Sequence, residues 1–113
     1  MTQYNMSMVR GDTLVFFFKI NELSANRVNS LTFTCKISDT SEEEIFQKTI
    51  GDGITLVDSE ENLWKVRVAP EDTAGISGQS KYAYVYDIQL GVGDDIYTPI
   101  KGKMTIIQDV TEN

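Results

Sequence analysis

A chain of 113 residues with 41% apolar and 24% charged side chains has the mix of one ordinary globular domain and is too apolar to be disordered. Ten basic against seventeen acidic residues leave a net charge of −7, which repels phosphate backbones and argues against nucleic acid as a partner. With no histidine and a single cysteine, Cys35, neither a histidine-dependent triad, nor a His-built zinc site, nor an intrachain disulfide can form.

The amino-terminal stretch MTQYNMSMVRGD lacks the continuous apolar run of a secretory signal, and no later stretch is apolar for long enough to span a bilayer. A soluble product made in the cytosol, with no membrane partner, is expected. Residues 1–7 and 109–113 fall outside the strand pattern and read as a flexible amino-terminal arm and a carboxy-terminal tail on a single domain, 1–113. Either end is able to add a strand to a neighbour's sheet edge.

Arg10-Gly11-Asp12 is a triplet known as an integrin ligand, but an apolar strand begins within two residues of it. A structural turn is the better reading. In it Gly11 permits the bend, the Asp12 carboxylate accepts from nearby backbone donors, and Arg10 pairs with a neighbouring carboxylate.

In LVFFFKI, Leu14, Phe16, Phe18 and Ile20 share one face and Val15, Phe17 and Lys19 the other. The second face is itself apolar at Val15 and Phe17, so it is expected to be half covered, by a loop, an arm or another subunit. The next strand, SLTFTCKIS, alternates Leu31, Phe33, Cys35 and Ile37 with polar residues, which places Cys35 in a core as an inert thiol.

After the acidic run SEEE, the strand IFQKTI ends at Gly51-Asp52-Gly53, which predicts a hairpin to ITLVD. LWKVRVA points Trp64, Val66 and Val68 inward. At PEDTAG the period changes: Pro70 suits a first helical position, Glu71 and Asp72 the positive helix end, and Gly75 a left-handed stop.

KYAYVYDIQL is the longest strand, with Tyr82, Tyr84, Tyr86, Ile88 and Leu90 on one face, and GVGDD turns the chain back. In the last segment, IYTPIKGKMTIIQDV, Pro99 predicts an edge or a kink and Gly102 a bulge. Together these are about seven to eight short strands with no long helix, the pattern of an all-β, immunoglobulin-like antiparallel β-sandwich. A small closed barrel has the same periodicity.

Four phrases in order, RGDTLVFFFKI, PEDTAGI, YVYDIQL and GKMTIIQDVT, carry a resemblance that spans roughly Met8 to Thr111. The set resembles small phage and prophage virion proteins, nearest the amino-terminal domain of the baseplate upper protein of phages that infect Gram-positive bacteria. The resemblance implies a β-sandwich that assembles on a virion, in the tail or baseplate, and no enzyme activity. In such relatives the domain often precedes a helical or fibrous continuation, and capsid decoration or a neck position are the other placements.

The candidate interaction surface is Val15 and Phe17 with the arm residues Met6 and Met8; the partners expected are other virion proteins and further copies of the chain. Asp52, Asp58, Glu60, Glu61, Asp94 and Asp95 are acids of the kind calcium takes, but they lack EF-hand spacing and read as turn residues. No cofactor or metal is expected, and a small-molecule ligand is not anticipated. Asp87 is a mid-strand carboxylate that needs water or a basic partner such as Arg10, Lys19 or Lys81. Tyr82, Tyr84 and Tyr86 suit a sandwich core or, if exposed, a sugar platform, which makes a carbohydrate-binding or host-adhesion module the second reading.

Overall fold

The computed structural model describes residues 2–21, 23–38, 44–76 and 81–108, without the side chains of residues 2 and 81–83. The strands are β1 (Thr2–Gln3), β2 (Met6–Val9), β3 (Leu14–Lys19), β4 (Ser30–Lys36), β5 (Glu44–Ile50), β6 (Gly53–Asp58), β7 (Leu63–Val68), β8 (Lys81–Val92) and β9 (Asp95–Ile107). One short helix, α1 (Pro70–Ala74), joins β7 to β8, and a 3-10 turn covers Ala25–Arg27. No helix among the described residues is long and apolar enough to cross a membrane.

The nine strands form one mixed sheet in the order β1-β9-β8-β4-β5-β6-β7-β3, with β2 following β1 along β9. The sheet folds over so that β3 faces β4: the ring of Phe16 meets that of Phe33 edge-on at 5.4 Å. Phe33 in turn packs edge-on against Phe46 and Tyr86. The all-β sandwich of the sequence is thus one sheet bent over its own core and nearly closed, which brings it toward a barrel.

The bend lies at Gly51-Asp52-Gly53, and here the expected hairpin is not formed. β5 and β6 pair in parallel, over Thr49↔Gly53 and Ile50↔Ile54 alone. Thr49 and Asp52 exchange backbone hydrogen bonds of 3.1 and 2.9 Å, so the chain kinks and runs on into the second layer instead of reversing. Gly51 and Gly53 hold φ of 89° and 100°, which side chains strongly resist.

Core positions follow the period-2 reading closely. Leu31, Phe33, Cys35, Ile54, Trp64, Val66, Val68, Tyr84, Tyr86, Ile88 and Leu90 are buried. Ile37, expected inside, is exposed because β4 ends at Lys36. Three polar residues that the pattern did not mark are also buried among the described residues, Asn62, Lys48 and, in α1, Thr73. Asn62, in the left-handed region at φ 51°, accepts from Trp64 Nε1 and donates to the Leu23 carbonyl. Lys48 points inward to an ion pair with Asp72 at 2.7 Å.

At α1 the expected helical turn is present, with the Asp72 carboxylate accepting from the Ala69 N–H at 2.7 Å. Gly75 closes it with φ −77°, in the right-handed and not the left-handed region. The expected bulge is displaced as well. Ile88 pairs with Ile100 and Leu90 with Tyr97, so β9 carries its extra residue around Pro99, where a missing N–H is harmless. Gly102 serves another purpose: a Cβ there would sit 1.8 Å from the Tyr4 carbonyl oxygen, so glycine is what lets β1 cross.

This crossing corrects the reading of residues 1–7 as an arm outside the sheet. Thr2–Gln3 and Met6–Val9 both pair in parallel with β9, and Tyr4 N–H donates to the Lys101 carbonyl at 2.9 Å. The segment adds its strand to its own sheet. Residues 109–113, the expected tail, lie outside the described residues.

Candidate functional site

The ends of the sheet are β3 on one side and β1 with β2 on the other. Following strand directions around the order, β2 and β3 run oppositely, and they are consecutive in the chain, yet no pairing joins them among the described residues. Each therefore keeps one unpaired edge, and the sheet remains open along a seam. An apolar slot of about 200 Å³ occupies it, lined by Tyr4, Met6, Phe16, Phe17, Phe18 and Ile100.

The slot exists because β3 is apolar on both faces. Leu14, Phe16 and Phe18 are drawn to the core, which leaves Val15 and Phe17 outward, 42% and 55% exposed. Tyr4, on the opposite lip, is 62% exposed. Of the four residues predicted as an interaction surface, Val15 and Phe17 are exposed, Met6 is half-buried and lines the slot, and Met8 is buried in the core. Met8 is thereby removed from the surface: it occupies an inward register position on β2, opposite Ile106.

The turn at Arg10-Gly11-Asp12 closes the top of the seam. Arg10 N–H donates to the Ile107 carbonyl at 2.8 Å, Gly11 N–H to Thr73 Oγ1 at 2.8 Å, and Arg10 Nη1 to the Ile76 carbonyl. Gly11 has φ 80°, and the turn is completed by Asp12 N–H donating to the Val9 carbonyl at 3.1 Å. The triplet is therefore tied to α1 and to the end of β9. Asp12 differs from expectation: it is exposed, and its backbone N–H, not its carboxylate, makes the hydrogen bond.

Basic residues lie on the strands beside the slot. β3 and β7 contain Lys19, Lys65 and Arg67 and no acidic residue. On the outer face Val15 stands opposite Arg67 and Phe17 opposite Lys65. Lys19 pairs with Glu61 at 3.0 Å. Beyond β7, Lys65 and Arg67 border a depression of about 330 Å³ shared with Lys48, Asp52 and Glu71.

A second, polar surface lies on the other layer. Gln47, Thr34, Asp87 and Lys101 stand side by side in register across β5, β4, β8 and β9. Gln47 Nε2 donates to Thr34 Oγ1 at 3.0 Å, and these residues line a depression of about 350 Å³. Asp87 thus has Thr34 and Lys101 as cross-strand neighbours rather than Arg10, Lys19 or Lys81.

Tyr84 and Tyr86 are buried, which removes them from any sugar platform, while the Tyr82 side chain lies outside the described residues. The Tyr86 hydroxyl donates to the Tyr4 carbonyl, and burial first, Tyr4 second, push its pKa up to about 12. Burial likewise raises the Cys35 thiol to about 12, so it is held protonated at neutral pH and is not a nucleophile. Among the described residues no three His, Cys, Asp or Glu gather to hold a metal. Asp58 Oδ1 instead accepts from the N–H groups of Glu60 and Glu61, a turn role.

No known family profile and no curated protein matches this sequence, so the resemblance to phage baseplate proteins stands on its four phrases alone.

Proposed function

We propose that this chain is a non-catalytic structural protein of a phage virion, a tail or baseplate component that works through protein-protein contacts. The observation that carries the assembly part is the open seam: two unpaired strand edges flank an apolar slot, with Val15 and Phe17 exposed beside it. Unpaired edges are adhesive, and natural proteins blunt them with charges, proline or a covering element. Here β3 has only Lys19, at its end, and aromatic residues fill its middle. The virion part follows from the four phrases quoted above.

The test is mass spectrometry of purified phage particles from the strain that encodes the sequence, with and without Phe17→Ser. The wild-type chain is expected in the particles, and the variant, folded but depleted from them. Absence of the wild-type chain from particles, together with a protein that binds no virion component, would refute the proposal.

A second reading is a carbohydrate-binding or host-adhesion module, favoured by the row Gln47, Thr34, Asp87 and Lys101, whose donors and acceptors suit sugar hydroxyls. A glycan array separates the two readings: a signal lost with Asp87→Ala supports the module, and a blank array discards it.

A further inference from the structure

We propose that the seam between β2 and β3 is a receptor for an extended, acidic polypeptide strand of another protein. The inference rests on the assembly reading and specifies its partner. An added strand would hydrogen-bond to the free backbone edge of β3 and place alternate apolar side chains in the slot formed by Tyr4, Met6, Phe16, Phe17, Phe18 and Ile100. Main-chain bonding supplies affinity without regard to sequence, while the slot selects apolar residues at every second position.

Charge decides between a second copy and a different protein. Neither the Lys65 nor the Arg67 side chain makes a hydrogen bond or an ion pair among the described residues. Both lie one strand in from the free edge. A strand added to β3 would lie two strand spacings, roughly 9.5 Å, from β7, within reach of a Glu or Asp side chain extending toward a Lys or Arg. Two copies meeting at this edge would instead set their cationic rims, Lys65 and Arg67, side by side, and like charges there disfavour a second copy. Acidic residues on the outward face of the incoming strand complement the rim, steer its approach and reject basic competitors.

The experiment uses fluorescein-labelled peptides of alternating Glu and Leu/Phe/Val, a Lys-for-Glu analogue, and an analogue with proline at the central position. The whole protein is titrated by fluorescence anisotropy, and hydrogen exchange is followed over residues 14–19. The acidic peptide is expected to bind and to slow exchange of β3 amides. Both analogues should lose at least about tenfold in affinity, and binding of the acidic peptide should weaken as salt rises. Lys65→Glu/Arg67→Glu, checked for an unchanged melting temperature, should lose about tenfold or more; should that variant not fold, the salt dependence carries the charge test.

Equal binding of the acidic and basic peptides, or binding without protection of β3, overturns the inference. Concentration-dependent self-association that Phe17→Ser abolishes also overturns it, in favour of a second copy. If no peptide binds while Phe17→Ser still removes the chain from particles, the strand receptor falls and the assembly reading stands.

Discussion

Gly102→Ala puts the path of the amino-terminal strand under direct test. The new Cβ would lie 1.8 Å from the Tyr4 oxygen and 2.6 Å from its carbonyl carbon, both backbone atoms that no rotamer change can move. Tyr86 Cε1, at 3.2 Å, would need to give slightly. Residues 2–4 must then lift from β9, which removes the Tyr4 N–H bond to Lys101, the pairing of Thr2 and Gln3, and the acceptor of the buried Tyr86 hydroxyl. At about 0.5–1.5 kcal/mol for each lost bond, and about 1–3 for a buried hydroxyl left unpaired, the gross loss is about 3–6 kcal/mol. Freed backbone at residues 2–4 returns about 1–2 kcal/mol each, about 3–6 in all, and offsets most of this; because the segment docks in the native chain the balance is unfavourable, and a net loss of about 1 kcal/mol is expected.

Urea unfolding of four proteins measures it: wild type, Gly102→Ala, a chain lacking residues 1–4, and the two changes combined. The sign should reverse between backgrounds. In the full chain alanine destabilises; in the shortened chain nothing crosses position 102, and alanine should be neutral or stabilising by about 0.5–1 kcal/mol, because glycine weakens a strand interior. A Gly102→Ala protein as stable as wild type in the full chain, or an equal loss in both backgrounds, would refute the crossing.

Lys48→Ala strips the partner from a carboxylate that keeps only the Ala69 N–H, and should cost about 3 kcal/mol in urea unfolding; a loss under about 0.5 would show the pair to be immaterial. Gly11→Ala, forced to φ 80° with open space around its Cβ, should cost about 1 kcal/mol through backbone strain, whereas Asp12→Glu should leave stability unchanged because the Asp12 hydrogen bond is made by its backbone. Both are read by thermal melting, and the opposite ranking would return the role to the carboxylate. For Cys35 the folded pKa lies above the unfolded value of 9.0, so its contribution to stability is complete below pH 9 and is lost as pH rises toward about 12. The difference in stability between wild type and Cys35→Ala should therefore shift against the wild type over that window, with a slope of at most about 1.4 kcal/mol per pH unit. A flat difference, or reaction of the native thiol with Ellman's reagent at pH 8, would contradict its burial.

Much of the fold was legible because burial in a sheet has period two, and the alternation in SLTFTCK, LWKVRV and YVYDIQL names the inward residues. Val15 and Phe17 were legible as an unusual second apolar face for the same reason. Where the periodicity fell silent, the reading failed. The three residues between IFQKTI and ITLVD are compatible with a hairpin or a kink, and only the different partners of β5 and β6 decide for the kink. Lys48 stands in an inward phase but is charged, and its inward course depends on Asp72, far along the chain. Gly102 is special for a reason other than a bulge, because close approach of a distant backbone leaves no local trace; at Asp12 the turn is legible, but its local pattern does not say whether backbone or carboxylate makes the hydrogen bond.

By itself, the sequence determined an all-β chain, most of its inward-facing residues, its buried cysteine, its short helix and the apolar outer face of its first long strand. These follow from local periodicity, turn chemistry and composition, each decided within a few neighbouring residues. Tertiary structure alone decided that residues 2–9 lie along β9, that the sheet bends at residues 51–52, and that β2 and β3 come near without joining. Those are contacts between residues distant in the chain, fixed by which edge remains unpaired after the core has packed. The seam, and with it the cationic, apolar surface proposed to take a partner's strand, belongs to this second kind.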